Sequence, residues 1–196
     1  MSSFAPCAFP AKDRYQKILT DALFQKELKQ IRHLEEQRIY CGHDLNHLLD
    51  VARITYIQAL ELLSSEEMAA PAPALNRLKD IIYAAALLHD IGRAREYEEQ
   101  IPHDEASAKI AGEILTRCGY LSKEIQQITA LILSHRGQDE TEDGAAEDLP
   151  PSQLLSTQKL ITLFREADKA SRLCFCCRAK DSCKWDEARK NPTVYR

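Results

Sequence analysis

Ala85-Ala86-Leu87-Leu88-His89-Asp90-Ile91-Gly92-Arg93 is the stretch on which the reading of this chain turns. It closes the most apolar segment of the sequence, Leu78 to His89, which predicts a central, buried helix. A histidine and an aspartate then stand side by side at its end, where an uncompensated carboxylate is costly to bury. Gly92 supplies a stop for that helix.

Outward from this centre, apolar residues recur at helical spacing and alternating strand-like runs are absent. Tyr15, Ile18, Leu19, Ala22, Leu23, Leu28, Ile31 and Leu34 follow the three-and-four spacing of an amphipathic helix, with Asp21 placed to break and re-cap it. A second helix is predicted from about His43 through Leu63, with Leu48, Val51, Ile54, Ile57, Leu60 and Leu63 facing inward. Ser64 to Leu75, with Pro71 and Pro73, reads as a loop. Further helices are expected from Asp104 or Glu105 to near Gly119, from Ser122 as N-cap to Ser134, and from Thr157 to Leu173. Between Gly137 and Leu149 six acidic residues and no basic one predict a solvated loop, closed by Pro150 and Pro151.

The expected architecture is all-α, one domain of bundled helices with a short cysteine-rich appendage. The expected divisions are an N-terminal helical segment over 1–37 packing on the core, a main domain over 38–173, and a Cys-rich basic tail over 174–196. Composition fits: 196 residues at 44% hydrophobic suffice for one core, and 6 Gly with 8 Pro exclude fibrous or low-complexity chains. Ile81 to Leu88 is far short of the roughly 20 apolar residues a membrane span requires. A net charge of −4 argues against a protein that coats nucleic acid. Seven cysteines, an odd number, behind a start without a basic and then apolar leader, point to a reducing, cytoplasmic setting.

The polar exceptions to the helical core carry the chemistry. His43 and His47 are four apart and would share one helix face. Asp168 sits in Phe164-Arg165-Glu166-Ala167-Asp168-Lys169, the polar turn of a late helix. Imidazole nitrogens and carboxylate oxygens are ligands that divalent transition metals accept, so one ion could satisfy His47, His89, Asp90 and Asp168 together. The bland reading of each residue alone is a hydrogen-bonded core histidine or a chance His-Asp pair.

Their order and context resemble the HD superfamily of metal-dependent phosphohydrolases. The matching stretches are His47-Leu-Leu-Asp-Val51-Ala52-Arg53, the Ala85 to Arg93 run, and Glu166-Ala167-Asp168-Lys169-Ala170-Ser171-Arg172, spanning roughly Arg38 to Arg172. The resemblance implies a bundle of about five helices with His47, His89, Asp90 and Asp168 as core metal ligands. His103, in Pro102-His103-Asp104-Glu105, and His135, in Ile132-Leu133-Ser134-His135-Arg136, stand where two-metal members place further ligands. Asp90 would then bridge two ions, iron, manganese or similar, in the paired clamp used for phosphoryl transfer. Otherwise His103 is an ordinary residue at a helix start, and His135 a helix-end residue favoured by the dipole.

The pattern His43-x-x-x-His47-x-x-Asp50-Val51 is similar to one in cyclic-nucleotide phosphodiesterases, where the first histidine gives a proton to the leaving oxygen. Here Asp44 replaces that family's asparagine and Gly42 its tyrosine, so His43 as general acid and His43 as support for a ligand remain equal alternatives. Arg93 and Lys169, beside the ligands, are candidates to neutralise phosphate. Arg136 and Arg172 are weaker candidates, and Arg172 reads more readily as a solvated cation. In the tail, Cys174 and Cys177 have the spacing of a metal knuckle and Cys183 could add a third thiolate, the fourth coming from Cys176, Cys7 or Cys118; without the second paired half of a zinc ribbon, reduced or adventitiously oxidised thiols are the alternative. Cys41 needs no role beyond packing.

The function expected is hydrolysis of a small phosphate ester, a nucleotide among them, by metal-activated water. The alternatives are a metal-containing nucleotide-sensing domain with little turnover, or a two-iron oxygenase built on the same ligands.

Overall fold

The computed structural model describes residues 13–65, 70–135 and 154–194. The acidic 137–149 stretch, Pro150, Pro151, Arg136 and Cys7 lie outside them. Eight α-helices account for the described regular structure: α1 (Tyr15–Thr20), α2 (Ala22–Leu34), α3 (Leu45–Ser65), α4 (Ala72–Leu88), α5 (Arg93–Glu99), α6 (His103–Cys118), α7 (Ser122–Ser134) and α8 (Thr157–Ala170). No strand occurs among the described residues. The appendage after α8 is irregular apart from a 3-10 turn at Cys174–Cys176. No described helix is long and apolar enough to cross a membrane.

Helix α4 is the axis of the fold because its sequence leaves no polar face over its last three turns. Ile81, Ile82 and every residue from Ala84 to Leu88 are buried, and α3, α7, α1 and α6 pack around them. Runs of alanine let neighbouring backbones come close, and Leu87 and Leu88 fill the space between them. Helix α8 packs on both α3 and α7, closing the bundle, while α1 lies on α4 and α6 and α2 on α5.

Local signals explain most boundaries. Asp21 ends α1 and caps α2, its carboxylate accepting from the N–H groups of Leu23 and Phe24. Gly119 takes the left-handed C-cap of α6 at φ 85°. Three boundary expectations need correction. Pro73 lies inside the first turn of α4, where a missing N–H costs nothing. The N-cap of α7 is Leu121, whose N–H is satisfied by the Glu124 carboxylate. Helix α3 begins at Leu45, with Asp44 accepting from the His47 N–H, so His43 belongs to the preceding loop and does not share a helix face with His47. Within α3, Ile57 and Leu60 are also exposed, and Ala52, Thr55 and Ala59 take the buried positions. Small residues serve there because α4 and α8 approach from either side.

Candidate metal centre

Five helices deliver side chains to one end of the bundle. His47 comes from the first turn of α3, His89 caps α4 and Asp90 follows it, His103 opens α6, His135 caps α7, and Asp168 projects from the last turn of α8. Gly92 makes this convergence possible by close approach. A Cβ there would fall 2.4 Å from Ser107 N and 2.6 Å from His103 O. The glycine thus lets α6 sit against the turn after Asp90, and the Gly92 N–H donates to Ser107 Oγ at 2.8 Å.

Two triads result. The ligand atoms of His47, His89 and Asp168 lie within 4.8 Å of one another, as do those of Asp90, His103 and His135. Asp90 spans both. Its Oδ2 stands 3.3 Å from His47 Nε2 and 3.1 Å from His89 Nε2, while its Oδ1 stands 3.2 Å from His103 Nε2. Ligands about 2.0 to 2.2 Å from a common ion are separated by roughly 3 to 3.5 Å, so these spacings suit coordination. Asp90 Oδ2 and His89 Nε2 are buried and make no hydrogen bond despite their proximity, which places their lone pairs toward a shared point instead of toward each other.

The backs of the histidines fix their chemistry. His89 Nδ1 donates to Ala86 O at 2.8 Å, His135 Nδ1 to Ile132 O, His47 Nδ1 to Ser171 Oγ at 3.0 Å, and His103 Nδ1 to Glu96 Oε2 at 3.0 Å. Each ring, held at Nδ1, therefore turns its Nε2 inward. His103 and His135 bring those two nitrogens to 2.9 Å, a contact between two acceptors that a cation resolves. Burial, with the charge of Arg93, pushes His103 down to about 4, and burial lowers His135 as well. Burial would raise the Asp90 and Asp168 carboxyls, but His89 and Arg93 hold Asp90, and His47 and His89 hold Asp168, well below the ordinary range. Two ionised, buried carboxylates demand positive charge, and the residues present fit divalent ions.

The HD domain family model matches residues 44–175, about two thirds of the chain. This chain belongs to the HD domain family. An uncharacterized protein of Clostridium beijerinckii is 37% identical over 183 residues, which cover 93% of this chain and 99% of that protein. No solved structure matches significantly. Membership places this HD domain in a superfamily of metal-dependent phosphohydrolases.

Within the HD domain, all six expected ligands meet. His43 joins them from the loop before α3: its Nε2 is 3.9 Å from Asp90 Oδ2, and Glu35 grips its other side, holding both its N–H and its Nδ1. Burial would raise the Glu35 carboxyl, but His43 and the Tyr97 hydroxyl, 2.6 Å away, bring it down to about 2. Arg93 donates to Asp90 Oδ1 at 2.8 Å and to Glu96 at 2.9 Å. Lys169 does not join the cluster. It is exposed on α8, because the residue after Asp168 is turned about 100° around the helix. Arg172 takes the place expected of Lys169: only 7% exposed, it donates to His47 Nε2 at 3.0 Å and Gly42 O at 3.0 Å and lies 3.2 Å from Asp168 Oδ1. The expectation of a solvated cation was wrong because Asp168 and Arg172, four apart at the end of α8, face the same way.

Glu35, Glu96 and Ser171 were missed as supports. Glu96 had a signal, three residues after Arg93 on one short helix, and Ser171 lies within the quoted Asp168 stretch. Glu35 had none, since it sits among Glu35-Glu36-Gln37-Arg38 and reaches His43 only through the tertiary fold.

Proposed function

We propose that this protein is a phosphoric ester hydrolase acting on a nucleotide or another small phosphorylated metabolite. The observation that carries the reading is the division of Asp90 between two histidine triads, the arrangement expected of a bridging carboxylate. His47, His89, Asp168 and Asp90 would hold one ion, and Asp90, His103 and His135 a second. Iron, manganese or a similar first-row ion supplies Lewis acidity toward phosphoryl oxygens and a more acidic water.

The chain's own groups account for the remaining work. Asp90 and Asp168 position charge, and the hydrogen-bonded Nδ1 atoms keep every Nε2 available. Arg172 is the guanidinium best placed to meet a phosphate oxygen, on yielding His47 Nε2 to an ion, and Arg93 fixes Asp90 from the other side. His43, held at Nδ1 by Glu35, presents Nε2 toward the reacting centre and moves a proton there to the leaving oxygen.

The test joins elemental analysis with a screen of phosphomonoesters, diesters and nucleotides, using wild type and Asp90→Ala. Wild type is expected to carry iron or manganese and release phosphate from one class, and Asp90→Ala to lose both. Supplying Mn2+ to the stripped protein at a hundredfold excess over Kd should raise Tm by about 5 to 10 °C, since only the folded state binds it. Bound metal without phosphate release would overturn hydrolysis in favour of nucleotide sensing or two-iron oxygenation. Full iron or manganese content in Asp90→Ala would overturn the site itself.

A further inference from the structure

The segment after α8 lacks the means to hold itself in place. From Cys174 to Val194 only Ala179 and Asn191 are buried, and regular structure is limited to the 3-10 turn at Cys174–Cys176. Asn191 ties it to the body, donating to Ala170 O at 2.7 Å and Arg172 O at 3.0 Å. Tyr40 adds one long hydrogen bond to Ser182 O, at 3.4 Å. A segment so poor in apolar burial commonly depends on a covalent or metal cross-link.

Thiols gather where that cross-link would lie. Cys174, Cys176 and Cys177 line a cavity of about 350 Å³ together with Cys41, which belongs to the loop before α3 and is more than 130 residues away in sequence; His47 and Arg172 form another part of its wall. Cys41 is within electrostatic reach of Cys174, Cys177 and Cys183. All four are half-buried and free, whereas Cys176 is exposed and turns its thiol to Leu173 O. The Cys177 N–H donates to Cys174 O, closing the tight turn that a pair spaced by two residues needs to present both sulfurs on one side.

We propose that Cys41, Cys174, Cys177 and Cys183 form a tetrathiolate site for a structural zinc ion that staples the C-terminal appendage to the loop carrying His43. Cys41, not Cys176, Cys7 or Cys118, completes the set begun by the tail. Cys41, Cys174 and Cys177 line the cavity and Cys183 stands outside its lining, within electrostatic reach of Cys41; no three of the sulfurs converge to 4.8 Å, so the thiols turn inward when the ion binds. Four soft thiolates select zinc over the harder ions suited to the histidine and carboxylate centre. The two sites share a cavity wall at His47 and Arg172 but no ligand, so Asp90→Ala, which removes the bridging carboxylate, leaves the four thiols intact.

Full-length Asp90→Ala, purified under reducing conditions, should retain about one zinc per chain. Stepwise blocking of its thiols with an organomercurial should release that zinc as four of the seven cysteines react. Cys177→Ser and Cys183→Ser should lose it and Cys176→Ser should keep it, with circular dichroism reporting the helical fold in each. Should a variant fail to fold, cobalt added to the wild-type protein gives a second readout, an intense thiolate-to-cobalt charge-transfer band. Zinc-free Asp90→Ala with seven freely reactive thiols, a disulfide at Cys41, equal loss in Cys176→Ser, or cobalt spectra without that band would each overturn the proposal.

Discussion

Gly92 shows how one hydrogen atom in place of a methyl group can decide a site. A Cβ there meets the backbone of Ser107 and His103 and the side chain of Ala106, at 2.4, 2.6 and 2.7 Å, so α6 would have to move. Gly92→Ala is expected to cost about 3 kcal/mol in urea unfolding, the upper end for overpacking because backbone cannot swing aside. It should weaken metal binding at the proposed His103 and His135 site before that at the proposed His47 and His89 site, which metal titration would show. Glu35 works at the same scale through a different bond. With His43 and Tyr97 both directed at its carboxylate, Glu35→Gln should lower kcat by about 10- to 100-fold on whichever phosphate ester is turned over. Metal content and melting temperature should stay near wild type, and Glu35→Asp should recover part of the loss. Equal loss in both variants would argue that Glu35 merely supports the loop.

At the scale of elements, α2, α3 and α8 begin where Asp21, Asp44 and Ser156 satisfy free N–H groups with their side chains. Asp21 separates α1 from α2, caps α2, and pairs with Arg117 at 2.8 Å on α6. Asp21→Ala is expected to destabilise the protein by about 1 kcal/mol at pH 7, the usual value of such a cap. The hydrogen bond from Arg117 holds this carboxyl below its ordinary value near 3.8. Its contribution is therefore complete above that value and is lost as pH falls through the lower folded one. Urea unfolding of wild type and Asp21→Ala should accordingly give a difference that shrinks below about pH 4. A difference independent of pH would assign the effect to helix propensity alone.

Across the whole molecule, one buried network ties the N-terminal helices to the bundle. Arg14, just before α1, donates to both oxygens of Glu124 on α7, at 2.6 and 3.0 Å, and to Asp80 on α4, at 2.8 Å. Its guanidinium lies 4.2 Å over the Tyr120 ring, and Tyr120 and the Tyr15 N–H also donate to Asp80. Arg14→Met leaves two carboxylates buried without their cation and should cost about 3 kcal/mol in global stability. Adding Asp80→Asn and Glu124→Gln should recover part of that, because the penalty lies in the unpaired charges and not in the lost contact. No recovery would show that packing of the arginine stem dominates.

The run from Ala85 to Arg93 determined the central helix, the site at its end and, by resemblance, the family. The six candidate ligands were legible because metals accept few side-chain types and those types stand out against an apolar helical background. The ends of α3 and α4, the exposure of Ile57 and Leu60, and the roles of Glu35, Arg172 and Cys41 were not. Each depends on what a neighbouring helix or a distant loop brings near. Helical periodicity marks which residues share a face, but burial and partnership are set by which element packs on that face. Tertiary structure alone could bring Glu35 to His43, turn Arg172 inward beside His47, and set Cys41 among the thiols of the tail.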